Sequence, residues 1–309
     1  MRNLKCVVLG GGGFIGTNLC RHLRGRVGEL RAFGRSRPFP DALKGVEWYD
    51  GAFTDTTELA YAVEGCDVVF HLISATTPAS ANLDTVHDLQ VNVAGTLALL
   101  EMCRAGTVGR VVFVSSGGTV YGIPSQVPTP ETAATDPITS YGIGKLAVEK
   151  YLGLYRHLHG LDHRILRVAN PFGPYQTAHK RQGVIAAFLR RALARQPLEV
   201  WGRGDVVRDY VYVDDVVEAL EKAAVHQGTE RLFNIGSGVG RSLTEIIDDL
   251  GAVVGRPLET VFHEGRPVDV PVSVLDIARA CRDLGWEPRT EWRDGLSRAW
   301  DWLRAAELG

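Results

Sequence analysis

The 309-residue chain has little that would point away from an ordinary globular protein. It has no charge of one sign in excess: 34 Lys and Arg face 36 Asp and Glu, a formal net charge of −2. No basic field therefore calls for nucleic acid or an anionic membrane. Its apolar runs stop after a few residues, too short to span a bilayer. No secretory leader is expected, because an apparent strand begins almost at once, at Leu4 to Leu9. Its five cysteines (Cys6, Cys20, Cys66, Cys103 and Cys281) are odd in number and scattered, without zinc-type or redox-type spacing. Reduced thiols in a cytoplasm are the expected state. Nor is there an internal repeat or a low-complexity linker. Hydrophobic residues at 45% and this length can bury a large core, in one large domain or two smaller ones.

Short apolar runs alternate with helical patterns. Cys6–Leu9, Leu30–Phe33, Asp67–Leu72, Val111–Val114 and Arg164–Val168 read as strands. Phe14–Arg24, Leu59–Glu64, Leu89–Arg104 and Ser140–His157 read as helices between them. Continuous apolar strands separated by helices predict an α/β fold of Rossmann type, a doubly wound parallel sheet covered on both faces. After Pro171 the segments become less regular. Helices are expected at Val184–Ala194, Asp214–Ala224, Leu243–Val254, Leu275–Leu284 and Leu296–Leu303, and strands at Leu198–Trp201 and Leu232–Ile235. This predicts a smaller, partly discontinuous C-terminal α/β lobe, with some segments returning to the main sheet.

Gly10-Gly11-Gly12-Gly13-Phe14-Ile15-Gly16 follows the first strand and opens the first helix. Glycines at 10, 13 and 16 let the backbone approach a pyrophosphate, and the helix N-terminus supplies amide donors and a positive dipole end. An acidic residue that would hold the adenosine ribose is expected at the end of the second strand. There the chain has Gly34, followed by Arg35, Ser36 and Arg37. An arginine at this place can accommodate a 2′-phosphate, which points to NADP. Surface arginines beside an NAD site are the other reading, and the residues leave both open.

Tyr141 and Lys145 stand four apart in Ser140-Tyr141-Gly142-Ile143-Gly144-Lys145. On a helix they share a face. Free tyrosine, with a pKa of about 10, is too weak an acid to yield a base at neutral pH. A cation about 5 Å away, at an effective dielectric of about 20, favours the phenolate by roughly 3 kcal/mol, about two pKa units. The pair therefore predicts a tyrosine base with lysine as its electrostatic partner.

With these residues in place, the chain resembles the extended short-chain dehydrogenase/reductase family, and within it the NAD-dependent epimerases and dehydratases of the UDP-hexose 4-epimerase kind. Besides the glycine turn and Tyr141/Lys145, the resemblance rests on Asn92-Val93-Ala94-Gly95-Thr96, Ser115-Ser116-Gly117-Gly118-Thr119-Val120-Tyr121-Gly122 and Arg167-Val168-Ala169-Asn170-Pro171-Phe172-Gly173-Pro174. It continues through Arg208-Asp209-Tyr210-Val211-Tyr212-Val213-Asp214-Asp215, Asn234-Ile235-Gly236-Ser237-Gly238 and Gly265-Arg266-Pro267-Val268-Asp269-Val270.

The resemblance implies a dinucleotide-binding domain of residues 1–170 and 211–237, and a nucleotide-sugar lobe of 171–210 and 238–309. It implies cofactor contacts from Gly10, Gly13, Phe14, Ile15, Gly16, Gly34, Arg35, Ser36, Leu72, Ile73, Asn92 and Ser115, as well as from Tyr141 and Lys145. Tyr141 would take the proton of the sugar C4 hydroxyl, while Lys145 holds the nicotinamide ribose. Asn170, Arg208, Arg266 and Asp269 would hold the nucleoside diphosphate, and helices around Leu89–Arg104 and Ser140–His157 would pair in a homodimer.

Three departures stand out. The third shuttle hydroxyl of the family falls at Gly117, so Ser116 and Thr119 are the candidates to replace it, with Ser115 a weaker one. The Asp-Glu pair that sugar 4,6-dehydratases place next is here Gly118-Thr119, which argues against dehydration. Ala52 stands where the family often has an acid for the adenine amino group. Epimerisation of a UDP-hexose or UDP-hexuronic acid remains, beside a 4-ketoreductase with exchanging NADPH and a non-catalytic NAD(P)-binding regulator. His71 reads as structural, Asp214-Asp215 as a helix start, and no metal site is expected.

Overall fold

The computed structural model describes residues 1–177, 183–264 and 270–308. Seven strands form one parallel sheet: β1 (Lys5–Leu9), β2 (Glu29–Gly34), β3 (Glu47–Asp50), β4 (Val68–His71), β5 (Arg110–Ser116), β6 (Asp162–Val168) and β10 (Leu232–Ile235). Their order across the sheet is β10-β6-β5-β4-β1-β2-β3. The order reverses between β1 and β4, the place where such sheets open a crevice at the strand C-termini.

Alternation along the strands builds two cores. Cys6, Val8, Phe70, Val112, Val114, Leu166 and Phe233 face one side, packed with α1 (Phe14–Leu23) and α8 (Val213–Val225). Val7, Leu9, Val69, Val111, Phe113 and Ile165 face the other. They meet α2 (Thr56–Val63), α5 (Gly95–Ala105) and α6 (Ser140–His159). Both faces being buried explains why these strands read as unbroken apolar runs.

The other strands are β7 (Asn170–Phe172), β8 (Leu198–Trp201), β9 (Val207–Tyr212), β11 (Gly240–Ser242), β12 (Thr260–His263) and β13 (Val272–Ser273). β9 pairs in parallel with β7 and β13 and antiparallel with β11. β8 pairs with β12. A third core, including Phe172, Phe188, Ile246 and Leu296, joins α7 (Val184–Leu193), α9 (Leu243–Val254) and α10 (Trp292–Leu308) to these strands. Two short helices, α3 (Pro78–Ala81) and α4 (Thr85–Asp88), follow β4.

Two expected helices differ. Leu89–Arg104 is not one α-helix: Leu89–Ala94 is a π-helical turn, and α5 starts at Gly95. Across the junction the Thr96 hydroxyl, in the first turn of α5, donates to the Asn92 carbonyl at 2.5 Å. Leu275 is not helical but forms a β-bridge with Thr129, its amide donating to the Asp209 carboxylate at 3.2 Å; helix follows only from residue 278. Asp214 and Asp215 do begin α8, where Asp215 accepts from the amides of Arg289 and Thr290. Among the described residues no helix is long and apolar enough to cross a membrane, and no cluster of metal-ligating side chains occurs.

Candidate active site

The glycine turn is closed by its own backbone. The amides of Gly10 and Gly11 donate to the Phe33 carbonyl at 2.8 and 3.1 Å, tying the turn to the end of β2. A Cβ on Gly12 would lie 1.9 Å from the Ser36 carbonyl oxygen, and one on Gly16 2.1 Å from that of Gly10. No side chain caps the start of α1, and its first turn holds no acid. The helix end is thus left open to an anion.

In front of the turn runs a cleft of about 560 Å³. Gly10, Gly13 and Phe14 line it, followed by Gly34, Arg35 and Ser36, then Ala52, and then Leu72 and Ile73. Gly16 and Ile15 lie behind, in the turn and against the core. Among the described lining residues none is a carboxylate, and Arg35 is the lone arginine or lysine. The place expected to be acidic is backed by an indole: a Cβ on Gly34 would meet the Trp48 ring at 3.2 Å, and the Arg37 guanidinium sits 5.6 Å from that ring's centre. Tyr175, which also lines the cleft, packs on Phe39 and Trp302, with ring centres 5.0 and 5.2 Å away. Glycines that only a bare backbone can fill, free helix amides and an elongated cleft suit a dinucleotide.

At the other end of the cleft, Tyr141 and Lys145 line a small adjoining cavity with Ser74, Asp88 and Asn92. Thr139 caps α6, its side chain accepting from the Gly142 amide at 3.1 Å, which fixes Tyr141 in the first turn. The Lys145 ammonium donates to the Val114 carbonyl at 3.0 Å and lies 5.6 Å from the centre of the Tyr141 ring. The electrostatics reverse the sequence-based expectation. Burial pushes Tyr141 up to about 12, a hydrogen bond with the Ser74 side chain opposing it and Asp88 adding to it. Burial brings Lys145 down to about 8, against the pull of Glu149 and Asp88. Withdrawal from water, which favours the neutral phenol and the neutral amine, is the largest cause at both groups.

Two polar clusters support the pair. Asp88, itself buried, accepts from the Asn92 amide at 2.8 Å, from the Ser140 hydroxyl at 2.8 Å and from the Thr76 hydroxyl. Asn92 also donates to Thr76 and accepts from the Ala75 amide, both at 2.9 Å. Behind Lys145, buried Glu149 accepts from the Ser115 hydroxyl at 2.5 Å and from both arms of Arg167, at 3.0 and 2.6 Å. His71 lies between Phe53 and Phe113, its Nε2 2.9 Å from the Thr96 hydroxyl. Burial drives it down to about 3, so it is a neutral packing residue.

Asn92 and Ser115 are thus spent on neighbours. Ser116 and Thr119 line neither the cleft nor the tyrosine cavity, and the Thr119 hydroxyl is buried with no hydrogen-bond partner. Asn170 and Arg208 are brought together by the β7–β9 pairing and line a second cavity of about 300 Å³ with Phe172, Trp201 and Tyr210. The Asn170 amide donates to the Asp209 carbonyl at 2.8 Å. Arg266 and Asp269 lie outside the described residues. Sequence reasoning missed Ser74, Asp88 and Glu149. Two of them carried a signal: Asp88 stands four before Asn92 and Glu149 four after Lys145, each on its partner's helical face.

Known proteins give the same picture. Residues 6–236 match the model of the NAD dependent epimerase/dehydratase family. A UDP-glucose 4-epimerase of Mycolicibacterium smegmatis is 36% identical, over 97% of this chain and 99% of that one. A dTDP-4-dehydro-6-deoxyglucose reductase of Escherichia coli is 30% identical, over 94% and 95%. The crystal structure of a UDP-glucose 4-epimerase with UDP-glucose from Thermotoga maritima superposes with a TM-score of 0.93 at 33% identity, covering 98% of this chain and all of that one. The chain belongs to the NAD-dependent epimerase/dehydratase family, among the extended short-chain dehydrogenases/reductases.

Proposed function

We propose that the protein is a 4-epimerase of a UDP-hexose or UDP-hexuronic acid, working with NAD. The observation that carries this reading is the placing of Tyr141 and Lys145 where the cleft meets their cavity, with no acid pair at Gly118-Thr119. The relatives named as UDP-glucose 4-epimerases support it.

In this reading Gly10, Gly13, Phe14, Ile15 and Gly16 hold the pyrophosphate, and Gly34, Arg35 and Ser36 the adenosine ribose. Leu72 and Ile73 border the nicotinamide side. When bound, the nicotinamide supplies a reversible hydride acceptor. Tyr141 takes the C4 hydroxyl proton and later returns it. Lys145, held by Val114, keeps its charge below about pH 8 and grips the nicotinamide ribose. Asn170, Arg208, Arg266 and Asp269 hold the diphosphate and its nucleoside. The cofactor-binding part takes in residues 1–170 and 211–237. Incubation with UDP-glucose, UDP-N-acetylglucosamine and UDP-glucuronate, followed by NMR, gives a C4 epimer of at least one. No epimer, with added cofactor consumed instead, overturns the reading.

A second reading, nucleotide-sugar 4-ketoreductase with exchanging NADPH, is favoured by the carboxylate-free cleft, by Arg35 and by the Escherichia coli reductase relative. Denaturing the purified protein separates the two. Released NAD supports the epimerase, whereas an empty site that binds NADPH, and loses that preference in Arg35→Glu, supports the reductase. The homodimer remains part of the proposal, supported by exposed Ile143, Leu154 and Leu158 on α6 and by exposed Leu83, Val86 and Leu89. Light scattering that finds a monomer at micromolar concentration counts against it.

A further inference from the structure

Three hydroxyls were expected to replace the one missing at position 117, and all three are out of play. Ser115 is spent on Glu149 at 2.5 Å. Thr119 is buried without a partner, and neither it nor Ser116 lines the tyrosine cavity. Position 117 itself is closed. A Cβ there would lie 2.5 Å from Leu275 Cδ1 and 3.1 Å from the Arg167 carbonyl oxygen, so a side chain cannot enter while Leu275 keeps its place.

Two other hydroxyl side chains line the tyrosine cavity: Thr96, which is spent on the Asn92 carbonyl at 2.5 Å, and Ser74. Ser74 lines both the cleft and the tyrosine cavity, at their junction. There it faces the same small cavity as Tyr141, where its side chain favours the phenolate, and its hydroxyl donates to the Thr76 carbonyl at 3.0 Å. The loop carrying it is pinned, since Asn92 holds the Ala75 amide and Asp88 and Asn92 hold the Thr76 hydroxyl. We propose that Ser74 is the positioning residue of Tyr141, supplying from the β4 loop the hydroxyl that position 117 cannot.

A serine hydroxyl has one proton and can accept as well as donate. While Tyr141 is a phenol it donates to Ser74, and Ser74 donates to Thr76. When Tyr141 is a phenolate, Ser74 turns its proton from the Thr76 carbonyl onto the phenolate oxygen. The one proton that changes owner is the phenolic one, which goes to and from the sugar hydroxyl. The other ionisable groups around Tyr141 are Lys145 on its own helix with Glu149 behind it, Asp88 from α4, and neutral His71 from β4.

This inference rests on the proposed role of Tyr141, and its test has an arm that needs no turnover. In the holoenzyme with oxidised cofactor, phenolate absorbance near 295 nm is titrated in wild type and Ser74→Ala, with Tyr141→Phe subtracted. Ser74→Ala is expected to move the Tyr141 titration up by about one pH unit and Ser74→Thr to restore it. On the epimerised sugar, kcat falls about 10- to 100-fold with KM little changed, the size of a hydrogen bond to a charged group. Should Ser74→Ala not fold, Ser74→Cys keeps the volume with a weak donor and shifts in the same direction. A Tyr141 titration that does not move from wild type in Ser74→Ala, or in Ser74→Cys where that variant stands in, overturns the proposal. A wild type that turns over no sugar defeats the function, while the absorbance arm still judges Ser74.

Discussion

The two ends of the cleft are built in opposite ways. At the glycine turn the backbone does nearly everything: amides answer carbonyls, and side chains are excluded because 1.9 or 2.1 Å leaves no room for one. At the tyrosine end the side chains do nearly everything, in buried clusters around Asp88 and Glu149. In the proposed function affinity and reactivity are thus assigned to separate materials, and substitutions at one end should leave the other standing.

The largest expected effect tests that separation directly. Tyr141→Phe lowers turnover about 10³-fold while nucleotide affinity, read by calorimetry, stays within a few-fold. Loss of both together would break the comparison. Glu149→Gln leaves the Arg167 guanidinium buried without its counter-charge. It is expected to cost about 3–5 kcal/mol in urea unfolding.

Acid acts at the same end. His71, held near 3 against an ordinary 6.5, is neutral when folded. The unfolded chain takes up that proton first as pH falls. Stability from this group is therefore intact above about pH 6.5 and declines below it, by about 3 kcal/mol at pH 4. Urea midpoints at pH 7 and pH 4 should show a flatter fall in His71→Gln. The smallest expected effect separates glycines that look alike in sequence. Gly118→Ala, whose Cβ would meet nothing within 4 Å, changes stability by about 0.5 kcal/mol or less. Gly12→Ala lowers both the melting temperature and nucleotide affinity.

The same division governs what could be read in advance. The central strands were legible because burial on both faces leaves an unbroken apolar run, as in Cys6-Val7-Val8-Leu9. β3 was not: at the sheet's edge, Glu47-Trp48-Tyr49-Asp50 is half exposed and carries no such run. Leu232–Ile235 and Leu243–Val254 fell where the pattern put them. Leu275 misled because an apolar residue filling the space over Gly117 looks, in one dimension, like one facing a helix core. Backbone-built sites announce themselves through glycine spacing. The tyrosine end is assembled from residues between 71 and 167, and its burial, which sets Tyr141 and Lys145 against the sequence-based expectation, has no local signature.

The position of β10 bears on how the chain reaches its fold. β6 is complete at Val168, yet its outer neighbour is residues 232–235, more than sixty positions later. Until that stretch leaves the ribosome, β6 has an unpaired edge open to other nascent chains. Asn234 then closes it with side-chain bonds to the Thr129 and Asp276 carbonyls, while its amide donates to Glu131. The last strand of the sheet is therefore also its cover, and translation that halts between the two strands yields a sticky fragment rather than a smaller working domain.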